Sequence, residues 1–181
     1  TFGIDVIITD HHEAPSELPK AVAIINPKCP HEKYPFRELA GCGVAFKLFQ
    51  ALAFSYSDCY DKDKAVLDVA DIKQQKFIDD YLYLVALGTV ADVAPLVSEN
   101  RVFVKYGIPL FYSSKKPGIL AVIDNLHIEK KLLTAKKISW SIAPLLNSAG
   151  RYGKAVLSVE LLITDDQSRA NLLLEEILTI N

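Results

Sequence analysis

Asp10, His11 and His12 stand in a row directly after the apolar run Val6-Ile7-Ile8-Thr9. A carboxylate oxygen and neutral imidazole nitrogens are a ligand set for a divalent metal ion. Adjacent residues just after a strand point in different directions, so one histidine can ligate while the other moves a proton or meets a phosphate. The plainer alternative is a turn capped by Asp10 with two surface histidines. Asp92 is the second candidate. It lies in Gly88-Thr89-Val90-Ala91-Asp92-Val93-Ala94-Pro95 with apolar residues on both sides, where an unpaired charge would be costly. A metal ion, a helix end or Arg101 would each serve as its partner. The third is Asn147-Ser148-Ala149-Gly150-Arg151. Read as a loop, its small residues let a ligand approach the backbone, and the guanidinium can fork onto a phosphate.

These residues need elements to position them. Val6 to Thr9 and Ala21-Val22-Ala23-Ile24-Ile25 are continuous apolar runs, the pattern of buried strands in a sheet covered on both faces. Asp10 then falls at the carboxyl edge of a strand, where open α/β sheets bind ligands. Ala45, Leu48, Phe49, Leu52 and Ala53 mark one face of a helix. Residues 55–75 are polar and acidic and read as a loop or insertion. Residues 77–87 read as a buried helix that gives way at Gly88-Thr89-Val90. Further helices are expected over 101–112 and 117–125. Thr164 and Gln167 have capping-box spacing ahead of a helix whose face is Ala170, Leu173, Leu174, Ile177 and Leu178. The expected fold is α/β, a parallel sheet flanked by helices with a helical C-terminal subregion, and a crevice between Asp10 and Asp92 as the site.

Other residues carry less. Cys29-Pro30-His31 with Cys42 lacks the paired spacing of a zinc site. His127 stands alone among apolar residues. Trp140 alternates with Ile138 and Ile142 as in a half-buried strand, which reads as packing and not as a base-stacking platform. There is no Walker-type glycine loop and no nucleophile elbow.

The chain has 181 residues, half of them apolar and 23% charged, which excludes a disordered or collagen-like polymer. No apolar run is long enough for a membrane span. Three cysteines are too few for a disulfide framework and favour a reducing, cytoplasmic setting. The net charge of −2 conceals an asymmetry: residues 101–154 hold ten bases and two acids, a local balance of +8. Such a block suits an anionic polymer.

The triplet with its lead-in, Gly3 to His12, resembles the third motif of the DHH phosphoesterase superfamily. Leu87-Gly88-Thr89-Val90-Ala91-Asp92-Val93 resembles the fourth, with Glu99-Asn100-Arg101 as its continuation. Ala23-Ile24-Ile25-Asn26-Pro27, Leu39-Ala40-Gly41-Cys42-Gly43-Val44-Ala45 and Asn147 to Arg151 are similar to stretches of the RecJ branch of that superfamily. The resemblance implies a DHH-type domain and two-metal hydrolysis with Mn2+ or Mg2+. His11 and Asp92 would be metal ligands, His12 a phosphate contact or proton carrier, and Asp10 the support of the site. Arg151 would hold a DNA phosphate, with Asn147 shaping its loop. The implied activity is 5′→3′ exonuclease action on single-stranded DNA in repair and recombination, with a single-strand-binding protein or a helicase as further partners. An oligoribonuclease, a cyclic-dinucleotide phosphodiesterase and a non-catalytic DHH scaffold are the alternatives. By the same resemblance, residues 1–181 are a partial catalytic domain lacking the first strands and motifs and the DHHA1 domain. Residues 164–181 would begin an inter-domain helix, and the fragment alone would be inactive.

Overall fold

The computed structural model describes residues 3–55, 72–113, 115–129 and 132–180. Two short strands, β1 (Ile7–Thr9) and β2 (Ala23–Ile25), pair in parallel with Ile8 opposite Ile24. The expected double cover is absent among the described residues. Ile7 is 59% exposed and, among the described residues, α1 (Gly41–Ser55) is the helix that lies most against β1, so the β-branched run makes a strand without burying it. Propensity reports the pleat, whereas burial depends on what packs above it.

Helices make up the rest: α2 (Ile72–Ala91), α3 (Ser98–Leu110), α4 (Pro117–Asn125), α5 (Ala135–Lys137), α6 (Ala143–Arg151), α7 (Ala155–Ile163) and α8 (Gln167–Ile180). The central one is α2. Tyr83, Ala86, Leu87 and Val90 enter the larger core with α4, α6, α7 and α8, while Leu82 and Val85 enter a smaller core with Val44, Phe46 and Phe103. A helix apolar on opposite sides is a buried helix.

Several expectations need correction. The helix expected to end before Gly88 runs on to Ala91, because Gly88 lies under α1, where a Cβ would meet Cys42 Sγ at 2.7 Å. The polar stretch 55–75 lies largely outside the described residues, and α2 already starts at Ile72. α3 begins at Ser98, three residues earlier than expected. α1 forms as expected, but Gly43, Val44 and Phe46 are its buried residues, and Ala45, Phe49 and Leu52 of the expected face are exposed. The cap of α8 is Asp166, whose Oδ1 accepts from Arg169 N at 2.8 Å, in place of Thr164. Thr164 Oγ1 accepts from Asp166 N instead.

The strand expected around Trp140 is a π-helical turn, Ile138–Ile142, running straight into α6. Pro144 has no N–H for the carbonyl of Trp140, and its ring would clash there in a regular helix. The wider turn, closed by Ala143 N donating to Ile138 O, avoids the clash. Ile138 and Ile142 are buried and Trp140 is 77% exposed, so Trp140 does not pack in the core of the described residues.

Candidate metal and phosphate site

β1 ends at the chemistry. Asp10 N donates to Ile25 O at 3.1 Å, the last backbone bond of the sheet edge. Asp10 Oδ1 then accepts from His11 N at 2.7 Å, His12 N at 3.2 Å and His12 Nδ1 at 2.7 Å. The His12 contact first, then the two amides, holds the carboxyl down to about 2 from its ordinary 3.8. A carboxylate only accepts, so His12 Nδ1 is the donor in this contact and the ring itself is exposed. The turn cap expected of Asp10 is therefore present.

From sequence Asn26 is no more than a strand stop. In the fold it is buried, and its Nδ2 donates to His12 O at 2.9 Å while Oδ1 accepts from Lys28 N at 2.9 Å. The signal for that role is an amide side chain immediately before a proline at a strand end, where it can reach back to its neighbour.

His11 Nδ1 lies 3.5 Å from Asp92 Oδ2, bringing together two residues far apart in sequence. The separation is long for a hydrogen bond. It suits two donors sharing one ion, since ligand atoms each ~2.1 Å from a metal stand about 3–3.5 Å apart. The His11 ring is seated on the start of α1, where a Cβ on Gly41 would lie 2.9 Å from its Cδ2. Asp92 is not the buried acid its apolar flanks suggest, and its neighbour is His11, not Arg101. It caps the C-terminus of α2 with its side chain 40% exposed. Val93 N donates to Val90 O and Ala94 N to Thr89 O, a Schellman closure that puts Val93 at φ 58°. An acid at the negative end of a helix is electrostatically unfavourable, and a cation beside it would relieve that.

His11, His12 and Asp92 line one cleft of about 390 Å³ together with Lys28, Glu38 and Pro95. Lys28 Nζ sits 3.1 Å from Glu13 Oε1 at its rim. Among the described residues, Asp10, His11 and His12 are the group of His, Cys, Asp and Glu whose ligand atoms, within 4.8 Å of one another, could hold an ion. Cys29, His31 and Cys42 form no such group. Cys42 instead donates to Val85 O, and desolvation raises its thiol pKa.

Asn147 and Arg151 fall elsewhere. They belong to α6, not to a loop, so Asn147 shapes no loop. One helical turn apart, they share a face. They line a second groove of about 750 Å³ whose walls include Gly88 and Ala91 of α2 and Val159 and Ile163 of α7. Ala91 precedes Asp92, so the two clefts flank the last turn of α2. Arg151 is exposed, and no hydrogen bond or ion pair holds its side chain among the described residues. Within the basic block Lys116 pairs with Asp165 and Lys154 with Glu176. Lys130 and Lys131 lie outside the described residues. No helix is long and apolar enough to cross a membrane.

Residues 1–89 match the family model described as the DHH family, N-terminal domain. The single-stranded-DNA-specific exonuclease RecJ of Salmonella typhimurium is 38% identical over all of this chain, which spans 30% of that protein. That of Bacillus subtilis is 36% identical over 99% of the chain, which spans 20% of it. A crystal structure of exonuclease RecJ bound to manganese superposes on 98% of the chain and 40% of its own with TM-score 0.77 and 30% identity. RecJ from Thermus thermophilus in complex with Mn2+ follows at TM-score 0.75 and 29% identity, over 99% of this chain and 24% of that one. The chain belongs to the DHH family and is similar along its whole length to the RecJ exonucleases.

Proposed function

We propose that this chain is part of the catalytic domain of a metal-dependent exonuclease that hydrolyses single-stranded DNA from the 5′ end, in repair and recombination. The observation that carries the reading is the approach of His11 and Asp92 across one cleft. His11 and Asp92 would hold a divalent ion, Mn2+ or Mg2+, with Asp10 supporting the site. When bound, such an ion supplies Lewis acidity to a phosphoryl oxygen and lowers the pKa of water. Among the described residues these donors are too few for two ions with six ligands each, so the reading requires further carboxylates.

His12 has the geometry of a proton carrier. Asp10 fixes its Nδ1–H and leaves Nε2 free to exchange a proton at the scissile phosphate or its leaving oxygen. Arg151, unpaired on α6, offers a fork for a phosphate further along the strand, with Asn147 one turn before it on the same face. Arg101, Lys105, Lys136 and Lys137 add exposed positive charge that suits a polyanion. A single-strand-binding protein or a helicase would be a further partner of the longer protein.

The test is digestion of a 5′-labelled single strand, a duplex and a dinucleotide with Mn2+, using this chain within its longer protein. Loss of the single strand alone supports the reading. Preference for the dinucleotide replaces it with an oligoribonuclease, and binding without cleavage replaces it with a scaffold. Arg151→Ala should weaken single-strand binding and reduce the salt slope by about 0.7, the value for one lost phosphate contact on a single strand.

A further inference from the structure

We infer that Asn100 is a positioning residue that sets the separation of His11 and Asp92, an inference that rests on the metal-site reading above. Asn100 is fully buried in the first turn of α3. Its Nδ2 donates at once to Glu38 O at 2.6 Å and to Pro95 O at 3.0 Å. Glu38 and Pro95 both line the His11–Asp92 cleft, from opposite segments. Glu38 lies three residues before Gly41, on which the His11 ring is seated. Pro95 lies three residues after Asp92. One amide group therefore ties the segment that supports the imidazole to the segment that carries the carboxylate.

The cost of the arrangement argues for its purpose. Asn100 Oδ1 is buried with no hydrogen-bond partner among the described residues. An apolar side chain would avoid that orphan acceptor, but it would leave two backbone carbonyls without their donor. Glu99 strengthens the same turn: Tyr34 OH donates to its Oε2 at 2.7 Å and Lys47 Nζ lies 2.9 Å from its Oε1. The start of α3 is thus pinned to α1 and to the segment before it, and Asn100 acts from a fixed base. The segment between Asp92 and α3 needs such a tie, because Val93 and Ser98 both sit at positive φ and would relax if released.

The experiment compares Asn100→Ala and Asn100→Asp with Tyr112→Phe, in the longer protein that carries this chain. Tyr112→Phe deletes a hydrogen bond to Ile128 O in the other core and serves as the control for stability lost elsewhere. Asn100→Ala removes the donor without adding charge, and so keeps the test available where Asn100→Asp fails to fold. Amide exchange should accelerate in residues 36–41 and 92–97 together, and Mn2+ affinity, read by water-proton relaxation, should fall about 10- to 100-fold, as when ligand-orienting partners are lost. Tyr112→Phe should leave both unchanged. Exchange that rises in one segment only, or in neither, overturns the inference. So does Mn2+ affinity that stays within twofold of wild type when both segments loosen. If the unmodified protein binds no Mn2+, the metal-site reading fails and both statements fall, while the exchange data still report whether the tie exists.

Discussion

Gly41→Ala separates the stability of this fold from its proposed chemistry. Gly41 is the first residue of α1, has no positive φ, and faces the His11 ring. An added Cβ would stand 2.9 Å from Cδ2 and 3.4 Å from Nε2 of His11. Carbon atoms reach optimal contact at about 3.5–4.0 Å, so the ring must retreat by roughly 0.6–1 Å. Metal–ligand distances hold to within about 0.2 Å, several times less than that retreat. The movement also disturbs the 3.5 Å approach of Nδ1 to Asp92. A loss of about 10- to 100-fold in Mn2+ affinity follows, equivalent to roughly 1.4–2.8 kcal/mol. Helix propensity acts the other way: Ala is better than Gly by about 0.5–1 kcal/mol inside a helix, and by less at the first position, which Gly41 occupies. Thermal unfolding should therefore move little while metal binding weakens. The assay is a Mn2+ titration followed by water-proton relaxation, paired with a melting curve, on the protein that carries this chain. Unchanged affinity together with an unchanged or raised Tm would refute the claim that His11 is seated on Gly41 for metal binding.

Asn26→Ala removes the donor to His12 O and the acceptor of Lys28 N from a buried position, and should cost about 1–3 kcal/mol in denaturant unfolding. It should also lower single-strand hydrolysis by releasing His12. Val93→Gly should stabilise the protein, by at most about 1 kcal/mol, since a β-branched residue at φ 58° gives up strain and its side chain, 82% exposed, contributes little burial. A melting temperature lower than wild type would contradict that. Asp10 carries a pH signature. Its folded pKa of about 2 lies below the ordinary 3.8, so its contribution is complete above about pH 5 and is lost as pH falls toward 2. Asp10→Asn should flatten the stability profile in that acid window.

The residues of the candidate site were legible in the sequence wherever chemistry alone singled them out. Asp10, His11 and His12 form an uncommon triplet at the end of an apolar strand, and Asp92 is an acid among apolar neighbours. Asn26, Gly41 and Asn100 were not legible as site residues. Each acts by where it meets another segment, and a single amide or glycine carries no such information in its type. The misread elements share a cause. A strand would set Ile138, Trp140 and Ile142 on one face, whereas the π turn ahead of Pro144 buries Ile138 and Ile142 and leaves Trp140 exposed. The small residues from Ser148 to Gly150 suggest a loop, but they lie in a helix whose Ala149 is buried against its neighbours.

By itself the sequence determined the donor chemistry, the parallel strand pair and most of the helices, because periodicity and residue type are local properties. The meeting of His11 and Asp92 was expected through the family resemblance, whereas the tertiary structure alone decided that Arg151 lines a separate groove behind the same turn of α2. It also decided that one buried amide spans the two segments of the cleft. Those relations depend on how α1, α2 and α3 pack, and packing is a sum over distant contacts that no local pattern encodes.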